Sequence, residues 1–237
     1  MKKLQGRTAL VTGAGRKLGR ATALALARDG ANIVVNVRVN EEECLAEIEA
    51  YGVKALPMIA DVEKHDDIER IIRVSLATFK TIDILVNNVG IRPLMPVLET
   101  SYEDLRRVMA INFEAGFLLI QGLLPAMLDQ QWGRIIQTVG STSISGQKER
   151  SVVAAAKMAS LGMTRSLAKE LAGKGVLVNC VSPGLLEPGK ESRLKNVPLG
   201  RAGAQEEVAK VTAFLCSEDA SFIAGETLHI NGAENCF

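Results

Sequence analysis

The feature that most restricts the fold is a glycine-rich turn between a short β-branched run and an amphipathic stretch. Thr8-Ala-Leu-Val-Thr12 leads into Gly13-Ala-Gly15-Arg-Lys-Leu-Gly19, and helical periodicity follows over Leu18–Arg28. A strand that turns on glycine into a helix is one βα unit, and the same alternation repeats to the end of the chain. Further strands are expected at Asn32–Asn36, Ala55–Ile59, Ile84–Asn87, Arg134–Thr138, Leu177–Val181 and Thr227–Ile230. Further helices are expected at Glu41–Tyr51, Asp66–Phe79, Tyr102–Gln130, Val152–Ala172 and Gln205–Ser217. Thr100 and Ser101, followed by Glu103-Asp104 at the positive end of the dipole, mark a helix start. No linker, repeat or low-complexity segment divides the 237 residues, so a single domain is expected.

Composition supports an α/β fold. Hydrophobic residues make up 47% and aromatics only 4%, so the core is built mainly from Val, Ile, Leu and Ala. That suits a parallel sheet buried by helices on both faces. With 28 basic and 27 acidic residues, no global field attracts nucleic acid or an anionic membrane. Cys44, Cys180, Cys216 and Cys236 are scattered without a C-x-x-C pair or ligand cluster, which fits a reducing cytoplasm, and no metal is expected. Met1-Lys-Lys imitates the start of a signal peptide, but the apolar run after it is too short for one. No stretch approaches the roughly 20 apolar residues of a membrane span, so a soluble cytoplasmic chain is expected.

Glycines in the first turn let the backbone approach a pyrophosphate, whose charge then rests on the helix N-terminus. A glycine turn alone also serves plain packing; the rest of the chain decides between the two. Val11-Thr-Gly13-Ala-Gly15-Arg16-Lys17-Leu18-Gly19 resembles the cofactor turn of the short-chain dehydrogenase/reductase family. Other matches follow in the family's order: Asp61-Val62, the pair at the adenine; Asn87-Asn88-Val89-Gly90, on the adenosine side; and Asn112, at the catalytic asparagine. Lys157 matches the lysine on the nicotinamide ribose, Pro183-Gly184 the pair beside the nicotinamide, and Gly225-Glu-Thr-Leu the closing strand. The resemblance implies a Rossmann-type, doubly wound parallel sheet of about seven strands, and commonly a tetramer built on two long helices. A homotetramer or homodimer acting on a small-molecule substrate is therefore expected.

NAD sites place a carboxylate at the end of the second strand, where it binds the ribose 2′-hydroxyl and repels a 2′-phosphate. Here Val37 occupies that place and Arg38 follows, with Arg16 in the turn on the same side. Guanidinium groups without a carboxylate suit a dianion, so NADP(H) is favoured over NAD(H).

Four departures from the family pattern fall at the pyrophosphate and the chemistry. Lys17 replaces the turn's middle glycine and either crowds the diphosphate or pairs with it. Gly140 stands at the catalytic serine, with Ser141 one residue late; Ser141 substitutes only if the strand ends or bulges there. Val153 stands at the catalytic tyrosine in Ser151-Val-Val-Ala-Ala-Ala-Lys157, and a valine donates no proton. The Glu187–Arg201 segment is shorter than the usual substrate lid, with Pro188 where a carboxamide-binding threonine is common.

Other donors are scarce. Tyr51 and Tyr102 lie elsewhere, His65 and His229 read as structural, and Ser151 points about 200° from position 153 on a helix. Lys148-Glu149-Arg150 reads as a solvated loop. That leaves Asn112, Ser141 and Lys157 as the catalytic set, with Lys157, or a water it holds with Asn112, as donor. Losing a positioned acid costs about 10²–10⁴-fold, which favours a conjugated C=C substrate whose carbon takes its proton from solvent. The expected function is hydride transfer from NADP(H) to a small carbonyl or conjugated alkene. Its rival is an inactive cofactor-binding, regulatory or scaffold subunit; a lyase or dehalogenase on the same fold ranks last. Leu94, Met95 and Leu186 are candidates for an apolar substrate pocket, and Leu186 also for contact with the cofactor.

Overall fold

The computed structural model describes residues 2–39, 42–188 and 191–236. Seven parallel strands form one sheet: β1 (Thr8–Thr12), β2 (Asn32–Val37), β3 (Ala55–Ile59), β4 (Ile84–Asn87), β5 (Gly133–Thr138), β6 (Val176–Pro183) and β7 (Thr227–Ile230). Their order is β3-β2-β1-β4-β5-β6-β7, the doubly wound arrangement expected. The strand order reverses between β1 and β4, so the crevice for a ligand opens at the carboxyl ends of those two strands.

The helices are α1 (Lys17–Arg28), α2 (Glu42–Glu49), α3 (His65–Phe79), α4 (Tyr102–Met109), α5 (Ala115–Asp129), α6 (Ser141–Ser145), α7 (Ser151–Leu171), α8 (Glu191–Leu194) and α9 (Gln205–Cys216). Strand alternation sends side chains to two cores. Ala9, Val11, Ile33 and Val35 face α1, α2 and α9, whereas Leu10, Val34, Leu85 and Ile135 face α3, α5 and α7. Each face is apolar, as a sheet covered on both sides requires. No disulfide joins Cys44, Cys180, Cys216 or Cys236.

Three expectations change. The helix from Tyr102 is interrupted by a five-residue π turn, Ala110–Glu114, between α4 and α5. Taken as one helix, Tyr102–Asp129 is long and apolar enough to cross a membrane, contrary to the sequence reading. Its apolar residues serve the core instead: Leu119, Ile120, Leu123 and Met127 are buried against the sheet. The third change is α6, a short helix where no helix was expected. The expected start of the second helix, Glu41, lies outside the described residues, as do Gly189 and Lys190 of the shortened lid.

Candidate active site

The β1–α1 turn keeps the shape that a phosphate site requires. Gly13 has φ +66°, and a Cβ on Gly19 would sit 2.0 Å from the Gly13 carbonyl oxygen, so only glycine closes this turn. Lys17 also adopts a left-handed backbone, with φ +48°, where glycine is ordinarily used. The strain is of order 1 kcal/mol. Its side chain and that of Arg16 are exposed, Gly15 is buried and Leu18 packs against the core. The N-cap Arg16 supplies no side-chain hydrogen bond and the first turn carries no acid. First-turn N–H groups and the positive helix end therefore suit an anion. At the end of β2, Val37 is buried and Arg38 is exposed, with no carboxylate at the strand end. These residues fit a dinucleotide.

Thr12 ties β1 to the β4 loop: its Oγ1 accepts from the Asn88 and Val89 amides, while Asn88 Nδ2 donates to the Thr12 carbonyl at 2.9 Å. Val62 is buried, and Asp61 Oδ1 accepts from the Glu63 amide. Near Asp61 in sequence, His65, Asp66 and Glu69 bring ligand atoms within 4.8 Å, all exposed.

Lys157 is the deepest charge in the crevice, 7% exposed. Its Nζ donates to the Thr138 carbonyl at 2.8 Å, at the end of β5. Burial, with Arg92 nearby, lowers its pKa from 10.5 to about 8. Gly90 makes room for it, since a Cβ there would lie 3.2 Å from both Lys157 Nζ and Asn112 Oδ1.

Asn112 lies in the π turn, a helix irregularity frequent at functional sites. Its side chain accepts from the Ile91 amide at 2.8 Å and donates to the Ile91 carbonyl at 2.9 Å. Both halves of the amide grip the loop, which leaves the Asn112 backbone to the helix and to Ser160. Through these two bonds Asn112 also positions Ile91-Arg92.

The β5 strand ends at Thr138, which meets the condition for Ser141 to serve. Ser141 opens α6, is buried, and donates to Glu234 Oε2 at 3.3 Å. Glu234, which no motif marked, also accepts from Arg193 at 2.9 Å. Gly140 has ample space, with the nearest atom to a Cβ at 3.9 Å. Val153 is 2% exposed and packs with Val108 and Ala156. Ser151 faces solvent, as expected.

Lys157, Gly140, Ser141, Val153, Pro183 and Gly184 converge on one pocket. Arg92, Arg150 and Arg193 complete it. Leu94 is exposed, Met95 packs beside Val153, and Leu186 pairs with Gly203 against the main core. The apolar pocket expected from these three residues is thus not the one formed; its wall is cationic. Arg150 is likewise not a solvated loop charge, although Lys148 beside it is.

Comparison with known proteins identifies the family. A family model described as "Enoyl-(Acyl carrier protein) reductase" matches residues 13–233. The 3-oxoacyl-[acyl-carrier-protein] reductase FabG of Aquifex aeolicus is 40% identical over 97% of this chain and 98% of its own length. The chain belongs to the short-chain dehydrogenase/reductase family. A 3-oxoacyl-[acyl-carrier-protein] reductase of Synechocystis is 37% identical over 98% of both chains. A solved structure of a chain assigned to the short-chain alcohol dehydrogenases, from Sinorhizobium meliloti 1021, superposes with a TM-score of 0.93 at 31% identity over 98% of each chain.

Proposed function

We propose that this chain is an NADP(H)-dependent reductase acting on a small carbonyl or conjugated C=C substrate, with an atypical active centre. The observation that carries the reading is the buried Lys157 ammonium, fixed by Thr138 at the wall of a pocket that Pro183 and Gly184 complete. Its reductase relatives support the reaction class. When bound, the reduced nicotinamide supplies hydride.

The chain's own residues divide the remaining work. Gly13, Gly15, Gly19 and the first turn of α1 hold the diphosphate, with the Lys17 ammonium paired to it. Arg16 and Arg38 grip the 2′-phosphate; Asp61, Val62, Asn88 and Gly90 line the adenosine side. Lys157 holds the nicotinamide ribose. Negative charge developing on the substrate oxygen meets the Lys157 ammonium, and a preorganised donor in a desolvated site is effective there; the Ser141 hydroxyl proton is committed to Glu234. With no tyrosine at 153, the proton comes from water.

An inactive, cofactor-binding role is the second reading, favoured by the burial of Val153 among apolar side chains. A screen for NADPH oxidation against ketones, quinones and enones separates the two. Turnover that Lys157→Met abolishes supports the reductase. Silence throughout, persisting in the Gly140→Ser/Val153→Tyr double variant, supports the second. Exposed Leu105, Phe117 and Met158 on α4, α5 and α7 suit a homotetramer or homodimer of a cytoplasmic enzyme.

A further inference from the structure

The substrate pocket holds more positive charge than a neutral ketone or enone requires. Arg92 comes from the β4–α4 loop, Arg150 from the N-cap of α7, Arg193 from α8, and Lys157 from the second turn of α7. Ser141, Thr142 and Ser143 add three hydroxyls to the same wall. Among the described residues, the carboxylate in contact with this set is Glu234, on Arg193. Glu149, next to Arg150 in sequence, pairs with Lys148 instead. Four cations therefore face one carboxylate.

Like charges gathered in a half-buried pocket repel one another and lose hydration, so an isolated cluster of this kind destabilises the fold. The strain shows at Arg150: burial first, then Arg92 and Arg193, lower its pKa, and its Nε is buried without a hydrogen-bond partner. Arg92 is also deliberately placed, since Asn112 clamps both backbone groups of the residue before it. An anion would neutralise the cluster and occupy that donor. Planar guanidinium groups match the paired oxygens of a carboxylate or phosphate.

We propose that this pocket binds an anionic oxygen group, carboxylate or phosphate, carried by the substrate, with Arg92 and Arg150 gripping it and the Thr142 and Ser143 hydroxyls completing the shell. The assignment of this group to a substrate rests on the reductase reading; the anion site itself does not. The substrate class is then a keto acid, an unsaturated acid, or a phosphorylated carbonyl compound.

Calorimetric titration with malonate and with inorganic phosphate, in the presence and absence of NADPH, tests the site without turnover. Binding of at least one anion is expected, weakened roughly tenfold or more in Arg150→Gln, the loss typical of a charge-assisted hydrogen bond. Which anion binds more tightly tells carboxylate from phosphate. The exposed Arg92→Gln variant provides the same readout should Arg150→Gln fail to fold. No binding of either anion, or equal affinity in the variants and the parent, overturns the proposal. In turnover assays, an unsaturated acid is expected to react at least tenfold faster than its methyl ester, and equal rates would also overturn it. Failure of both to react counts against the reductase reading alone, and the anion titrations then decide the site.

Discussion

Replacing Lys157 with methionine keeps the side chain's length and removes its charge, so it isolates what the buried ammonium does to the fold. Burial lowers the lysine pKa from 10.5 to about 8. The folded value lies below the unfolded one, so between those two pH values the unfolded chain binds more protons and stability rises with pH. At 1.36 kcal/mol per pH unit, the gap amounts to roughly 3 kcal/mol of penalty, present in full at neutral pH and relieved as pH approaches 10.5. About 2 kcal/mol of it is relieved between pH 7 and pH 9.5. Urea unfolding of parent and Lys157→Met at both pH values measures the effect, because titrations shared by the two proteins cancel in the difference. The parent should gain about 2 kcal/mol on the variant across that interval. A flat difference would show that Lys157 is hydrated in the folded chain, and the argument for a desolvated cationic pocket would fail with it.

Other substitutions probe the positioning contacts. Asn112→Leu removes both hydrogen bonds to Ile91 and should destabilise the fold by about 1–3 kcal/mol, read by chemical denaturation. Gly19→Ala places a methyl group into the Gly13 carbonyl and should cost about 2 kcal/mol or more, with loss of NADPH binding. Lys17→Gly relieves the left-handed backbone and should raise thermal stability slightly, by up to about 1 kcal/mol. The same variant should bind NADPH several-fold more weakly if the ammonium pairs with the diphosphate; tighter binding would show that the side chain crowds it.

The sheet was legible because most of its strands are short β-branched runs with a glycine or asparagine at or near a boundary, and β1, β3, β4 and β7 fall where expected. The β6 strand runs on to Pro183 because β7 pairs with it as far as Ile230, a tertiary effect that no local pattern carries. The π turn at Ala110–Glu114 was hidden because one extra residue per turn barely disturbs an apolar helical pattern. The asparagine clamp it carries could not be read either, since Asn112 meets Ile91 only after folding. The phosphate turn and Lys157 were visible as motifs. The cationic pocket was not: Arg92, Arg150 and Arg193 lie on three separate elements, and each looks like an ordinary surface charge in sequence. Glu234 was missed for the same reason, its partners Ser141 and Arg193 being distant along the chain.

On the proposed reading this chain holds NADP(H) and presents it to the Lys157 pocket, and calorimetric titration of the purified protein with NADPH and, separately, with NADH measures that binding. Micromolar NADPH binding is predicted, with NADH roughly tenfold weaker or more through loss of the charge-assisted contacts at Arg16 and Arg38. Absence of binding by either nucleotide, or tighter binding of NADH, would contradict the account.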